Sequence, residues 1–131
     1  MSVQRVFSGA PWEAKVGYCR ALRAGNQVFV TGTVAAEPDG TIHAPGDPYA
    51  QALRCFSIIG EALEGVGASL KDIVRTRMFV TDISQWEAIG KAHGEVFKGH
   101  PPATTMVEVS ALIGPSMLVE IEADAIVGLG G

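Results

Sequence analysis

Positive charge is scarce in this chain: 10 lysines and arginines stand against 14 aspartates and glutamates, for a formal net charge of −4. The basic residues are scattered from Arg5 to Lys98, with Arg75 and Arg77 the one tight pair in a predicted strand. Phosphate backbones are held by clustered Lys and Arg, so nucleic acid is not an expected partner. Cysteine is nearly absent. Cys19 and Cys55 have neither the density of a disulfide framework nor metal-ligand spacing, which fits reduced thiols in a cytoplasmic protein. No apolar run approaches membrane-spanning length, and the opening MSVQRVFSGAPWE lacks a hydrophobic signal segment, so no membrane association is expected. Missing too are a glycine-rich phosphate loop, a Walker motif and a Ser-His-Asp order. His93 falls on a helical stripe and His43 and His100 in loops near proline, so no metal set is expected.

What is present is apolar content, 47% of 131 residues, enough for one domain over residues 1–131 to bury its own core. Val3 to Phe7 reads as a short strand ended by the turn-prone Ser8-Gly9-Ala10-Pro11. Tyr18 to Arg23 and Gln27 to Val34 read as a hairpin about Gly25-Asn26. A turn at Glu37-Pro38-Asp39-Gly40 and a loop to Gly46 precede a helix with Asp47 as N-cap and Pro48 at its first position. Leu53, Phe56, Gly60 and Leu63 recur at helical spacing, Cys55, Ile59, Ala62 and Val66 widen the apolar face, and Gly65 and Gly67 end it. Ser69 to Asp72 forms a small capped turn before a strand from Ile73 to Thr81. Ser84 opens a second helix with the stripe Trp86, Ile89, His93, Val96 and Phe97, closed by Gly99 and Pro101. Strands from Thr104 to Val109 and from Met117 to Val127 finish the chain, and Trp12 and Trp86 read as packing residues.

The resulting order, β-β-β-α-β-α-β-β, is an α+β domain with both helices on one face of a mixed sheet. Alternation puts Val74, Thr76, Met78 and Val80 on one side of their strand and Arg75, Arg77 and Phe79 on the other. On the last strand Val119, Ile121, Ala123 and Ala125 oppose Leu118, Glu120, Glu122, Asp124 and Ile126. The second face mixes apolar residues with charges of both signs, as suits a surface shared between subunits.

Five segments, in order, carry a resemblance: Gly17 to Ala21 (GYCRA), Asn26 to Gly32 (NQVFVTG), Asp72 to Asp82 (DIVRTRMFVTD), Pro101 to Val109 (PPATTMVEV) and Met117 to Val127 (MLVEIEADAIV). Together they resemble the Rid family of reactive intermediate deaminases, also called YjgF-like or endoribonuclease L-PSP-like proteins. The resemblance implies a chorismate-mutase-like fold, a homotrimer with sheets inside and helices outside, a small-molecule ligand in a cleft at each subunit interface, and no cofactor. It places Tyr18, Thr31, Gly32, Gly90, Thr104, Thr105, Met106 and Glu120 around that cleft. Glu120 matches the acid that positions the attacking water, and Tyr18 would orient substrate. The alternative for Glu120 is a carboxylate that only pairs with an arginine across the interface.

Two positions depart from the deaminating members. Thr104 stands where they carry the arginine that grips the substrate carboxylate, and Gly90 where several carry asparagine. A guanidinium gives two parallel charge-assisted hydrogen bonds and a threonine one neutral donor, a loss of about 1.5–3 kcal/mol, or roughly ten- to hundredfold in binding. Arg77 or Arg20 could bring a replacement cation to the cleft; the alternative is that both neutralise Glu108, Glu120, Glu122 and Asp124. Cys19 has no adjacent base to make it a nucleophile. Three functions follow: hydrolysis of an imine or enamine other than the usual 2-imino acids, a non-catalytic ligand-binding or regulatory module, and, ranked last on the acidic charge, an endoribonuclease.

Overall fold

The computed structural model describes residues 2–128; the ends of the expected 1–131 domain, residue 1 and residues 129–131, lie outside them. The elements are β1 (Val3–Val6), α1 (Pro11–Val16), β2 (Ala21–Ala24), β3 (Gln27–Thr33), α2 (Pro48–Glu64), β4 (Ile73–Val80), α3 (Trp86–Val96), β5 (Ala103–Glu108) and β6 (Val119–Ile126). Two 3-10 turns, Leu70–Asp72 and Ile83–Gln85, lead into β4 and α3. The six strands form one sheet in the order β1-β2-β3-β6-β4-β5. Among the described residues β4 and β5 are the one parallel pair, because the crossover through α3 returns the chain to the same end of the sheet. The α+β architecture, with the two expected helices α2 and α3 packed on one face of the mixed sheet, is as expected.

Local signals fix most of this. Asp47 accepts a hydrogen bond from the Ala50 N–H at 3.0 Å, so it caps α2 with Pro48 behind it. The two-residue turn pairs Ala24 with Gln27, and Gly25 supplies the positive φ of 62° that the tight turn needs. Ser69 donates its N–H to Asp72 Oδ2 at 2.9 Å, closing the small turn before β4. The core lies between the sheet and α2 and α3: Phe56, Ile59, Leu63 and Ile89 meet Val28, Val80, Val119 and Ile121, all at most 1% exposed. The fully buried Gln51 holds the approach to β6, with Nε2 donating to Ser116 O at 3.0 Å and Oε1 accepting from Leu118 N at 3.0 Å.

Four expectations need correction. Helix α1 lies where only a turn was read; Pro11 starts it and Gly17, at φ 90°, ends it. Trp12 and Trp86 are 45% and 55% exposed in the single chain rather than packed in its core. Trp86 begins α3 just after the 3-10 turn, and that change of winding rotates it off the buried stripe. A register shift between Ile73 and Arg75 makes Ile73, not Val74, the core residue at the start of β4. Finally, Glu108 lies on the opposite side of the sheet from Glu120: it shares a β5 side with Thr104 and Met106 and accepts the Ile83 N–H at 3.0 Å.

Replacing Asp47 by Ala should destabilise the fold by about 1 kcal/mol, while Phe56→Ala should cost about 3–5 kcal/mol. Urea denaturation at one fixed protein concentration reads both; equal losses would contradict a core centred on Phe56.

Candidate functional site

Glu120 owes its position to an irregularity in the neighbouring strand. Between Val30 and Thr33 the register of β3 against β6 shifts by one residue, so Thr31 and Gly32 bulge opposite Glu122. Gly32 then lies under the Glu120 carboxylate, and a methyl group at that position would overlap Oε2. Half-buried there, the Glu120 carboxyl is held above its ordinary range, first by loss of water and then by repulsion from Glu122, with Arg20 partly opposing.

The bulge also organises the residues around Tyr18. Thr31 Oγ1 donates to Cys19 O at 2.6 Å, and Arg20 Nη1 donates to Gly32 O at 3.2 Å. Arg20 Nε lies 3.8 Å from Glu13, which is 4% exposed and also accepts the Ser8 N–H and hydroxyl. The Arg20 guanidinium stands 5.7 Å from the Tyr18 ring centre. Tyr18 and Thr31 line a groove of about 730 Å³ on the open face of the sheet, with Arg5, Phe29, Glu122 and Asp124 among its walls. Arg77 donates to Asp124 Oδ2 at 3.1 Å and lies 3.7 Å from Glu122. Arg77 thus faces acids already on the sheet, whereas Arg20 is engaged by Glu13, an acid that sequence reasoning passed over. Its one signal was an acidic residue two places after a helix-starting proline.

Thr104 and Met106 lie elsewhere. In the β4–β5 register they pair with Thr76 and Met78, whose side chains are buried beneath the helices, so they point to the helix side; Thr105 pairs with Arg77 and shares the open face. Thr104 is exposed on the outer strand, and its Oγ1 is hydrogen-bonded to Thr76 Oγ1 at 2.6 Å. Thr76 in turn is 2.8 Å from His93 Nε2. Burial holds the His93 imidazole below its ordinary range, which favours the neutral ring. Gly90 lies on α3 with open space where a side chain would project. Two half-sites result: Tyr18, Thr31, Gly32, Arg20, Arg77, Thr105 and Glu120 on or beside the open face, and Thr104, Met106 and Gly90 at the helix-side edge. Among the described residues no group of three or more His, Cys, Asp or Glu side chains is placed to hold a metal ion.

Residues 8–127 match the family described as endoribonuclease L-PSP. An uncharacterised protein of Streptomyces coelicolor is 37% identical over 124 residues, 95% of this chain and 92% of that protein. The mouse (Mus musculus) 2-iminobutanoate/2-iminopropanoate deaminase is 27% identical over 127 residues, covering 96% and 93% of the two chains. A crystal structure from Mycobacterium tuberculosis, described as a member of the YjgF/YER057c/UK114 family, superposes with a TM-score of 0.88 at 46% identity, covering 96% of this chain and all of that one.

A carboxyl held above its ordinary range in the fold, but not in the unfolded chain, makes stability fall as pH rises through that window. Glu120→Gln should therefore remove this fall and raise the melting temperature above the window, as measured by thermal unfolding across pH. In Gly32→Ala the flexible Glu120 side chain should swing away towards water, and its carboxyl titration, followed by carbon NMR, should drop towards the ordinary range. An unmoved midpoint would show that the seat over Gly32 does not set its proton affinity.

Proposed function

The chain belongs to the endoribonuclease L-PSP family, the Rid or YjgF-like proteins, and on that basis we propose a homotrimer whose inter-subunit clefts bind a small metabolite and hydrolyse an uncharged imine or enamine rather than a 2-imino acid. The observation that carries this reading is the separation of the two half-sites: Glu120 and Thr104 sit on opposite faces of one sheet. Side chains on opposite faces cannot converge on one small molecule within a chain. A second copy supplying Thr104, Gly90 and the backbone at Thr105 and Met106 opposite Glu120 and Tyr18 resolves that, and the exposed Phe7, Phe29 and Val107 give it apolar surface to cover.

The chemistry needs one water. Ionised Glu120 takes a proton from water as the oxygen adds to the imine carbon and passes it to the nitrogen, giving a carbinolamine. It then takes the remaining hydroxyl proton and passes it to the same nitrogen as the C–N bond breaks, leaving a carbonyl compound and an amine or ammonia. A carboxyl with raised proton affinity suits both steps. Tyr18 would orient the substrate. The preference for an uncharged substrate rests on the cations: Thr104 offers only a hydroxyl, Arg77 is held by Asp124 and Glu122, and Arg20 by Glu13 and the Gly32 carbonyl. An anionic ligand would also meet Glu120, Glu122 and Asp124 at close range. That acidity argues equally against RNA cleavage. The rival reading, a non-catalytic binding module, draws on the loss of side-chain contacts at Thr104 and Gly90.

Decay of a preformed uncharged imine, N-benzylidenemethylamine, followed by ultraviolet absorbance, should be accelerated by the wild-type protein. Decay of 2-iminopropionate, generated in situ by an amino-acid oxidase, should be accelerated little. Thr104→Arg should raise activity on 2-iminopropionate at least about tenfold. Silence of both proteins on both imines, in samples sedimenting at three times the chain mass, would favour the binding module. A stable monomer would overturn the shared cleft.

A further inference from the structure

Thr76 is a hydroxyl at the centre of β4 on the side packed against the helices, with no exposed surface. A valine would fill that position without polar cost, so the hydroxyl invites a reason. It lies between two partners, His93 Nε2 at 2.8 Å and Thr104 Oγ1 at 2.6 Å, the second of which is exposed. His93 itself is only 9% exposed, with the Phe97 ring centre at 4.5 Å and that of Phe56 at 5.6 Å. The three residues form a file from the core under α3 to the outer strand.

Proton counting leaves the file one of two directions. A threonine hydroxyl has one proton and can donate only once. In the outward direction Thr76 donates to Thr104 and accepts from His93, whose Nε2 carries the ring proton; in the inward direction Thr104 donates to Thr76 and Thr76 donates to an Nε2 without a proton. In the outward direction Thr104 receives a hydrogen bond from inside and keeps its own proton for whatever lies outside. Burial favours the neutral imidazole that this arrangement requires. In the low-dielectric setting beneath the helices, each donated bond polarises the next and strengthens the last donor.

We propose that His93 and Thr76 are positioning residues that make the Thr104 hydroxyl an outward hydrogen-bond donor, so that the ligand presents an uncharged oxygen or nitrogen acceptor at this point. The inference rests on the reading that Thr104 lines the ligand cleft. It gives the position vacated by a cation a defined polarity: a single neutral donor aimed by a buried ring, which selects for an acceptor and against an ammonium group.

The test reads the histidine ring directly. In uniformly nitrogen-15 histidine-labelled protein, with His93 assigned by its loss in His93→Gln, the resonances should show a neutral ring protonated at Nε2. Thr76→Val should shift the Nε2 and its proton, and Thr76→Ser should restore them. On N-benzylidenemethylamine, Thr76→Val should raise KM roughly two- to tenfold with little change in kcat, and Thr76→Ser should return it to the wild-type value. A ring protonated at Nδ1 or doubly protonated at neutral pH would overturn the proposal whether or not any imine is hydrolysed. An unchanged KM in Thr76→Val would overturn it too, while leaving the hydrolytic function standing. If wild type hydrolyses no imine, the function falls and the tautomer alone decides the relay.

Discussion

The constraint on which this structure depends is the strict alternation of β6. That strand lies between β3 and β4 in the sheet, and Val119, Ile121, Ala123 and Ala125 are at most 2% exposed beneath the helices. A period of two then leaves Glu120, Glu122 and Asp124 no choice of side. Core burial drives three carboxylates into a column on the open face, at one strand spacing from the basic residues of β4. A slip of one residue would exchange the whole set and place three acids in the core. The acidic character of the candidate cleft is thus a by-product of hydrophobic packing, fixed as firmly as the core itself.

Three stacked acids repel one another, and the distribution of cations decides what each of them becomes. Arg77, opposite Glu122 in register, reaches Glu122 and Asp124 and leaves Glu120 at the far end of the column. Arg20 is nearer to Glu120 but is drawn off by the buried Glu13 and the Gly32 carbonyl. The bulge in β3 then brings backbone, not a counter-charge, against the last carboxylate. Glu120 becomes the acid with raised proton affinity first because burial strips its water, and then because Glu122 repels it with the nearby cations engaged elsewhere.

Signals confined to a few consecutive residues were legible in the sequence. The Asp47-Pro48 helix start, the Gly25-Asn26 turn, the Ser69–Asp72 turn and the alternation of β6 all appear where expected. Features that depend on a neighbour were not. Helix α1 is only six residues long with Glu13 its sole buried side chain, too short for an apolar period to show. The bulges of β3 and β4 each alter a register by one residue, which propensity does not sense, and so Ile73 takes the core place assigned to Val74. Gly32 and Glu120 could be picked out one by one through a family resemblance, but their contact could not. The Thr76 hydroxyl was visible as a polar residue on a core face; its partners depend on the parallel pairing of β5 and on the turn at which α3 begins.

In the proposed function the two half-sites also tie chemistry to assembly. Glu120 lies on the open face of β6 and Thr104 on the helix-side face of β5, with β4 between the two strands. No rotamer carries either side chain through a hydrogen-bonded sheet, so a reaction that uses both draws them from different copies of the chain. In the proposed trimer each copy would give its carboxylate to one cleft and its threonine to another. Apolar surface covered at such an interface would also strip water from Glu120 further, deepening the desolvation that already raises its proton affinity. Subunit association and tuning of the acid would then be one physical event: the contact that completes the cleft also sharpens the group that works in it.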